Sequence, residues 1–400
     1  MTEDALYRPE LWSLAPDVLH LNHGSFGACP SQIIEEQTQL RQQMESNTLR
    51  FFEQELPELL ETARKALGLF LGAPAQDLVF LDNATTGIST VLSNLDLIAG
   101  DRILVTDHGY NACSNAARYF TKRASAEIDL INLPFPGSDA NEFIERILGA
   151  CTSRTRLLLI DHITSPTALI MPLEEIVPAV QQRGIQVLVD GAHAPGMLPL
   201  RLTDLGADYY TGNCHKWMCA PKGTAFLYVK PEHQLNLHPL TISHGMNRPV
   251  GDSTRFRLEF DWVGTRDLTG FLTLPALIEY MGGISNEGWA GIMARNRALA
   301  LEARDLICQE LGLESPCPVD MIGSLATVCL PVPKKGTFID YHAVDPLKEI
   351  LRHNHGIEVS LSAWPSPAGR YLRVSAQLYN SLFHYQQLTK ALQVELGRGH

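Results

Sequence analysis

From residue 78 the chain alternates short apolar runs with longer stretches in which apolar residues recur every three or four positions. The short runs are LVFL (78–81), ILVT (103–106), IDLINL (128–133), LLLID (157–161), IQVLVD (185–190) and TAFLYV (224–229). Between them lie segments such as NEFIERILGACTS (141–153) and LEEIVPAVQQRG (173–184), which carry their charges on one side of a helical repeat. Continuous apolar runs suit strands covered on both faces, and the amphipathic segments suit the helices that cover them. The alternation predicts βα units around a largely parallel sheet, an α/β fold.

The texture changes near residue 265. The long helical segments TLPALIEYMGG and ARNRALALEARDLICQELG lead into weaker strand-like pieces, LATVCLPVP and RYLRVS, separated by loops containing Pro and Gly. A chain of 400 residues also exceeds what one core usually supports. The expected organisation is an N-terminal segment (1–20) packing back on a small domain, a large domain (21–265) and a small α+β domain (266–400). No internal repeat or low-complexity tract interrupts it.

Composition narrows the partners. With 45% hydrophobic and 19% charged residues the chain has enough apolar material for a packed core. A formal net charge of -12 with no Lys/Arg cluster argues against nucleic acid or an anionic membrane as the partner. The acidic, proline-containing start and the absence of a long uninterrupted apolar stretch predict a soluble, cytoplasmic protein. Eight cysteines run from Cys29 to Cys329, and Cys214 and Cys219 lack the spacing of a redox or zinc motif, so reduced thiols are expected.

In open α/β sheets a ligand sits at the carboxyl ends of the strands, so the polar residues that close the apolar runs come first. After LVFL, Ala84, Thr85 and Thr86 offer amides and hydroxyls at a helix start, which suits an anion and equally a plain N-cap. After ILVT, DHGYNA supplies His108 and Tyr110, either of which could cover a flat ligand; a loop histidine is also commonly just hydrogen-bonded. After IQVLV, Asp190 ends a buried strand, where a carboxylate needs a positive partner such as an arginine, loop amides or a protonated heterocyclic nitrogen. His193 follows three residues later. Then TGNCHKWMCAPKG (211–223) places Lys216 at the sheet, between an aromatic strand-like piece and an apolar one. A partly desolvated lysine is a usable nucleophile toward an aldehyde. Asn213 and His215 beside it can hold an anion. Together these stations are what pyridoxal 5'-phosphate requires of a protein.

The order NATTG, DHGYNA, TSPTALI, DGAHAPG, GNCHKW, GTRD and RVSAQLYN resembles the class V aminotransferase family of fold-type I enzymes, and within it the isopenicillin N epimerase-like branch. The resemblance implies a seven-stranded, mostly parallel sheet sandwiched by helices, and a homodimer with active sites at the subunit interface. It implies that Lys216 forms the Schiff base with the cofactor and serves as the Cα base. Asp190 would pair with the ring nitrogen, His193 with the ring hydroxyl, and His108 would stack on the ring. Ala84, Thr85, Thr86, Asn213 and His215 would hold the phosphate with Thr265 of the other subunit. Arg373 would bind the substrate α-carboxylate.

Two departures separate the chain from the cysteine desulfurase members. Their Ser-Asn after the fourth strand is Ser165-Pro166 here, and the stretch SLSAWPSPAGRYLRVS (360–375) contains no catalytic cysteine. The resemblance implies action at Cα of an amino acid or derivative, first as an epimerase, with His23 and Tyr110 as candidate second acids at the substrate. The alternatives are a C–S β-lyase acting on a cysteine conjugate or sulfoxide, a class V aminotransferase, and a non-catalytic member of the fold. Arg248, Arg255, Arg257 and Arg266 are candidates for a distal substrate carboxylate, or surface and interface charges.

Overall fold

The computed structural model describes residues 4–251, 253–332, 344–364 and 369–397. Its centre is a sheet of seven strands: β1 (Leu78–Leu81), β2 (Arg102–Thr106), β3 (Glu127–Ile131), β4 (Thr155–Asp161), β5 (Gln186–Asp190), β6 (Tyr209–Asn213) and β7 (Ala225–Val229). They lie in the order β1-β7-β6-β5-β4-β2-β3, and only β7 runs antiparallel to its neighbours. The five apolar runs before β6 and the one after it are all strands, as expected. The third ends at Ile131 rather than Leu133, because the Leu133 amide turns to donate to Asp107 Oδ1 at 3.0 Å.

Alternate residues of each strand feed two cores, as the two-residue period of a strand demands. Val79, Leu81, Ile103, Val105, Leu157, Leu159 and Leu188 face one side, covered by α1 (Ala84–Ser93) and α2 (Asn111–Arg123). Leu78, Phe80, Leu104, Leu158, Ile160, Val187 and Val189 face the other, covered by α3 (Ala140–Ala150) and α4 (Leu173–Gln181). The sheet is thus sandwiched by helices, with its strand ends as the one polar seam.

The C-terminal part is smaller. Three antiparallel strands, β8 (Leu325–Leu330), β9 (Ser360–Trp364) and β10 (Gly369–Ser375), lie in the order β9-β10-β8 with α5 (Gly288–Leu311), α6 (Pro346–His355) and α7 (Leu382–Glu395). Within the cysteine-free stretch 360–375, residues 365–368 lie outside the described residues. The N-terminal segment returns to this part: Leu19 and His20 pair in parallel with Ile357 and Glu358. Among the described residues no helix is long and apolar enough to cross a membrane.

Arg370 and Asp345 form a buried ion pair in this part, with Nε donating to Oδ2 at 2.6 Å. Asp345 also caps α6 by accepting the Leu347 amide at 2.9 Å. Asp345→Ala removes the cap and strands a buried cation, so it is expected to cost about 3–5 kcal/mol in urea unfolding. A loss below about 1 kcal/mol would mean that Arg370 finds water instead.

Candidate active site

Strands β1, β2, β4, β5 and β6 all point their carboxyl ends the same way, and the polar residues that follow them converge. Asp190 closes β5, and its register partner at the end of β4 is Asp161. Lys216 follows β6 in a turn that returns into β7, so its amine emerges beside the end of β5. The turn is clamped from both sides by glycines with left-handed backbone. At Gly27 (φ 70°) a Cβ would stand 2.0 Å from the His215 carbonyl oxygen, and at Gly196 (φ 85°) 2.5 Å from Trp217 backbone.

Burial, and next the charge of Arg373, lower the Lys216 pKa to about 8, against the opposing pull of Asp190. The amine is therefore partly neutral near neutrality, the state a nucleophile or base requires. His193 Nε2 lies 3.2 Å from Lys216 Nζ. Trp217 Nε1–H donates to His193 Nδ1 at 3.3 Å, and burial holds the imidazole pKa well below its usual value. A neutral His193 thus carries its proton on Nε2, facing the lysine. Asp190 accepts the Ala192 amide on Oδ1 at 3.0 Å and the Cys113 thiol on Oδ2 at 3.0 Å.

The anion cradle forms at the start of α1. Asn213 Oδ1 accepts the Ala84 amide at 2.8 Å, and Asn83 Oδ1 accepts the Thr86 amide at 2.9 Å. These bonds fix the helix start and leave the half-exposed Thr85 amide and hydroxyl directed outward, a ready anion site. Asn213 thus acts on the helix rather than pointing into the cradle. His215 Nδ1 donates to the Thr224 carbonyl at 3.0 Å, which leaves Nε2 for a ligand; burial brings its pKa to about 4. Thr265 is exposed on this chain, away from the partners just described.

Two sequence expectations are corrected. His108 has no exposed surface and cannot lie over a ligand. Its Nδ1 meets Thr167 Oγ1 at 2.7 Å, its Nε2 donates to the Leu133 carbonyl at 3.2 Å, and Trp364 covers it at 4.3 Å between ring centroids. The open ring is that of Tyr110, which is 46% exposed, close enough to Arg373 to act on its charge, and held by its amide at the Asp161 carboxyl. His23 is buried behind the lysine: Nε2 donates to the Lys216 carbonyl at 2.9 Å and Nδ1 accepts from Tyr379 at 2.8 Å. It positions the lysine and keeps no free nitrogen for a substrate.

Arg373, on β10, reaches back to the sheet ends. Its guanidinium bonds the Ser165 carbonyl and lies 3.2 Å from Ser165 Oγ, 3.4 Å from Asn22 Oδ1 and 3.3 Å from Ser25 Oγ. All these partners are neutral, and its buried Nε has none. A buried guanidinium without an anion is costly, and a bound carboxylate would complete it. Asn22, Ser25 and Cys113 are the site residues that sequence reading missed. They carry no spacing signal, being brought in by long-range packing.

An amine of depressed pKa, a carboxylate facing a ring nitrogen, an open helix start and an unpaired arginine are on one seam. The family model "Aminotransferase class-V" matches residues 27–333. The chain belongs to this family. It is 32% identical over 398 residues to "Isopenicillin N epimerase" of Streptomyces clavuligerus, covering 96% of each chain. It is 30% identical over 401 residues to "Probable L-cysteine desulfhydrase, chloroplastic" of Arabidopsis thaliana, covering 94% of this chain and 82% of that one. The solved complex between "the cystine C-S lyase C-DES and its reaction product cysteine persulfide" superposes with a TM-score of 0.77 at 20% identity, covering 94% and 97%, and shows the shared fold. The family's cofactor is pyridoxal 5'-phosphate, and the residues fit it: Thr85 for the phosphate, Asp190 for the ring nitrogen, Lys216 for the aldehyde.

Because the Lys216 pKa is lowered to about 8, its amine deprotonates as pH rises through 8 rather than through the usual lysine range. Acylation of Lys216 in cofactor-free protein, followed by peptide mass spectrometry, should therefore reach half its maximal rate near pH 8. A midpoint near that of exposed lysines would show that the amine is not desolvated.

Proposed function

We propose that this class V enzyme removes the Cα proton of a short, cysteine-derived amino acid and expels its β-sulfur substituent. When bound, the cofactor supplies an aldehyde that captures an amine and a protonated ring that accepts the electron pair left at Cα. The residues supply the rest. Arg373 holds the substrate carboxylate, which fixes the orientation of the Cα–H bond. Lys216, once displaced by the substrate amine, stands free to take the Cα proton. Asp190 keeps a proton on the ring nitrogen. Loss of the Cβ–S bond then gives a Cα=Cβ double bond and a thiol, and water releases pyruvate and ammonia.

The disposition of the arginines carries the preference for a short substrate. Arg257 bonds Glu61 at 2.7 Å and sits beside Asp261, Arg266 binds Asp82, and Arg255 donates to the Gly245 carbonyl. Three of the four candidates for a distal carboxylate are thus spent inside the chain, which favours a cysteine derivative over a long acidic peptide. Elimination also needs only one base, and neither His108 nor His23 keeps a nitrogen for a second.

A second reading, epimerisation, draws on Tyr110, an open phenol on the Arg373 side of the site and hence a candidate second acid. The two divide in heavy water. With cysteine, cystine and cysteine sulfoxides, pyruvate and ammonia formed without an amino acceptor support the lyase. Cα deuteration with the D-epimer and no keto acid would overturn it.

The site is also proposed to be shared within a homodimer. Exposed Leu235, Leu240, Ile242 and Met246 form an apolar run on a chain whose Thr265 stands open. A cytoplasmic setting is supported by eight free cysteines. The proposed division at residues 20 and 265 makes the Arg373 part the smaller domain.

Borohydride reduction of the loaded protein should fix the phosphopyridoxyl group on Lys216; a label on Lys222 would sink the assignment. Arg373→Met should raise KM for the amino acid roughly 100-fold while the cofactor still binds.

A further inference from the structure

We propose that Cys113 is a positioning residue for the cofactor's ring nitrogen: its thiol fixes one oxygen of Asp190 and leaves the carboxylate's charge to hold a proton on that nitrogen. The inference rests on the reading of this seam as a pyridoxal-phosphate centre. Among the described residues, Cys113 supplies the one side-chain hydrogen bond to Asp190, at 3.0 Å on Oδ2, while the Ala192 amide takes Oδ1. None of them forms an ion pair with this carboxylate. Its orientation therefore depends on one backbone amide and one thiol.

The thiol is held by the helix that carries it. Cys113 lies in the first turn of α2, and the residue before that helix, Tyr110, gives its amide to Asp161. The register of β4 on β5 sets Asp161 beside Asp190. One helical turn thus grips both carboxyl groups, one through an amide and the other through a thiol.

The protonation states support the same picture. Burial, and next the charge of Asp190, push Asp161 well above the usual carboxylate range, so it stays neutral and adds no second charge. Burial and the same neighbour push Cys113 up as well, so it remains a thiol and donates. A thiol is a weak donor. A hydroxyl in its place would draw charge from Asp190, and an alkyl group would leave Oδ2 free to turn. The thiol orients the carboxylate at low cost to its charge.

The test is nitrogen NMR of the loaded parent protein, Cys113→Ser and Cys113→Ala, each carrying pyridoxal phosphate labelled with 15N in the ring. Cys113→Ser should lower the ratio of protonated to unprotonated ring nitrogen roughly five-fold. Cys113→Ala should keep the proton but broaden the resonance as Asp190 turns. Equal shifts and line widths in all three proteins at matched loading would overturn the proposal and leave Cys113 as core packing. A ring nitrogen already unprotonated in the parent protein would instead overturn the role of Asp190 itself, so the two failures are told apart.

Discussion

The seam at the strand ends holds more charge than its burial tolerates unpaired, and that constraint organises the site. Asp161, Asp190 and Arg373 are each no more than 6% exposed, and Lys216 is drawn down in pKa beside them. Water cannot solvate these groups, so each must find a partner, shed its charge or wait for a ligand. Asp161 sheds its charge and Lys216 is poised to do so. Asp190 takes a thiol and an amide, neither of which neutralises it. Arg373 takes only neutral oxygens. The unmet demand is one cation opposite Asp190 and one anion opposite Arg373, which is what a protonated pyridine and an amino-acid carboxylate bring.

Much of this was legible in the sequence because the chemistry-bearing residues close apolar strands. Asp190 ends IQVLVD and Lys216 lies between two strands, so their placement follows from the α/β pattern alone. The β6 strand itself was harder to see, since YYTGN carries only two large apolar residues and owes its pairing to β5 and β7. The β9 strand was missed because SLSAW alternates weakly and is stabilised by β10 across a break that contains Pro and Gly.

The sequence could not decide which ring of DHGYNA faces the ligand. His108 and Tyr110 are two residues apart, and the choice depends on Trp364, more than 250 positions downstream. Its indole donates to the Asp107 carbonyl at 2.6 Å and closes over the imidazole. That contact seals His108 and leaves Tyr110 as the open ring. His23 was misjudged for a similar reason. Only the fold reveals that the N-terminal segment passes behind the lysine, where Gly27 has no room for a side chain.

The same balance of charges explains how one family supports several reactions. Lys216, Asp190 and Arg373 govern removal of the Cα proton, and nothing in their geometry dictates the fate of the carbanion. The outcome then depends on which proton donors remain open around Cα. Here the hydroxyls of Thr164 and Thr167, 2.7 Å apart, together with the Leu133 carbonyl, occupy His108. Tyr379 and the Lys216 carbonyl occupy His23. Each of these bonds removes an acid that an epimerase could have used, while a β-elimination loses nothing by it. Tyr110 is the exception, and its loop is tied to the Asp161 carboxyl. A change at that carboxyl would therefore reach the fate of the substrate without touching the lysine, the ring nitrogen or the carboxylate clamp.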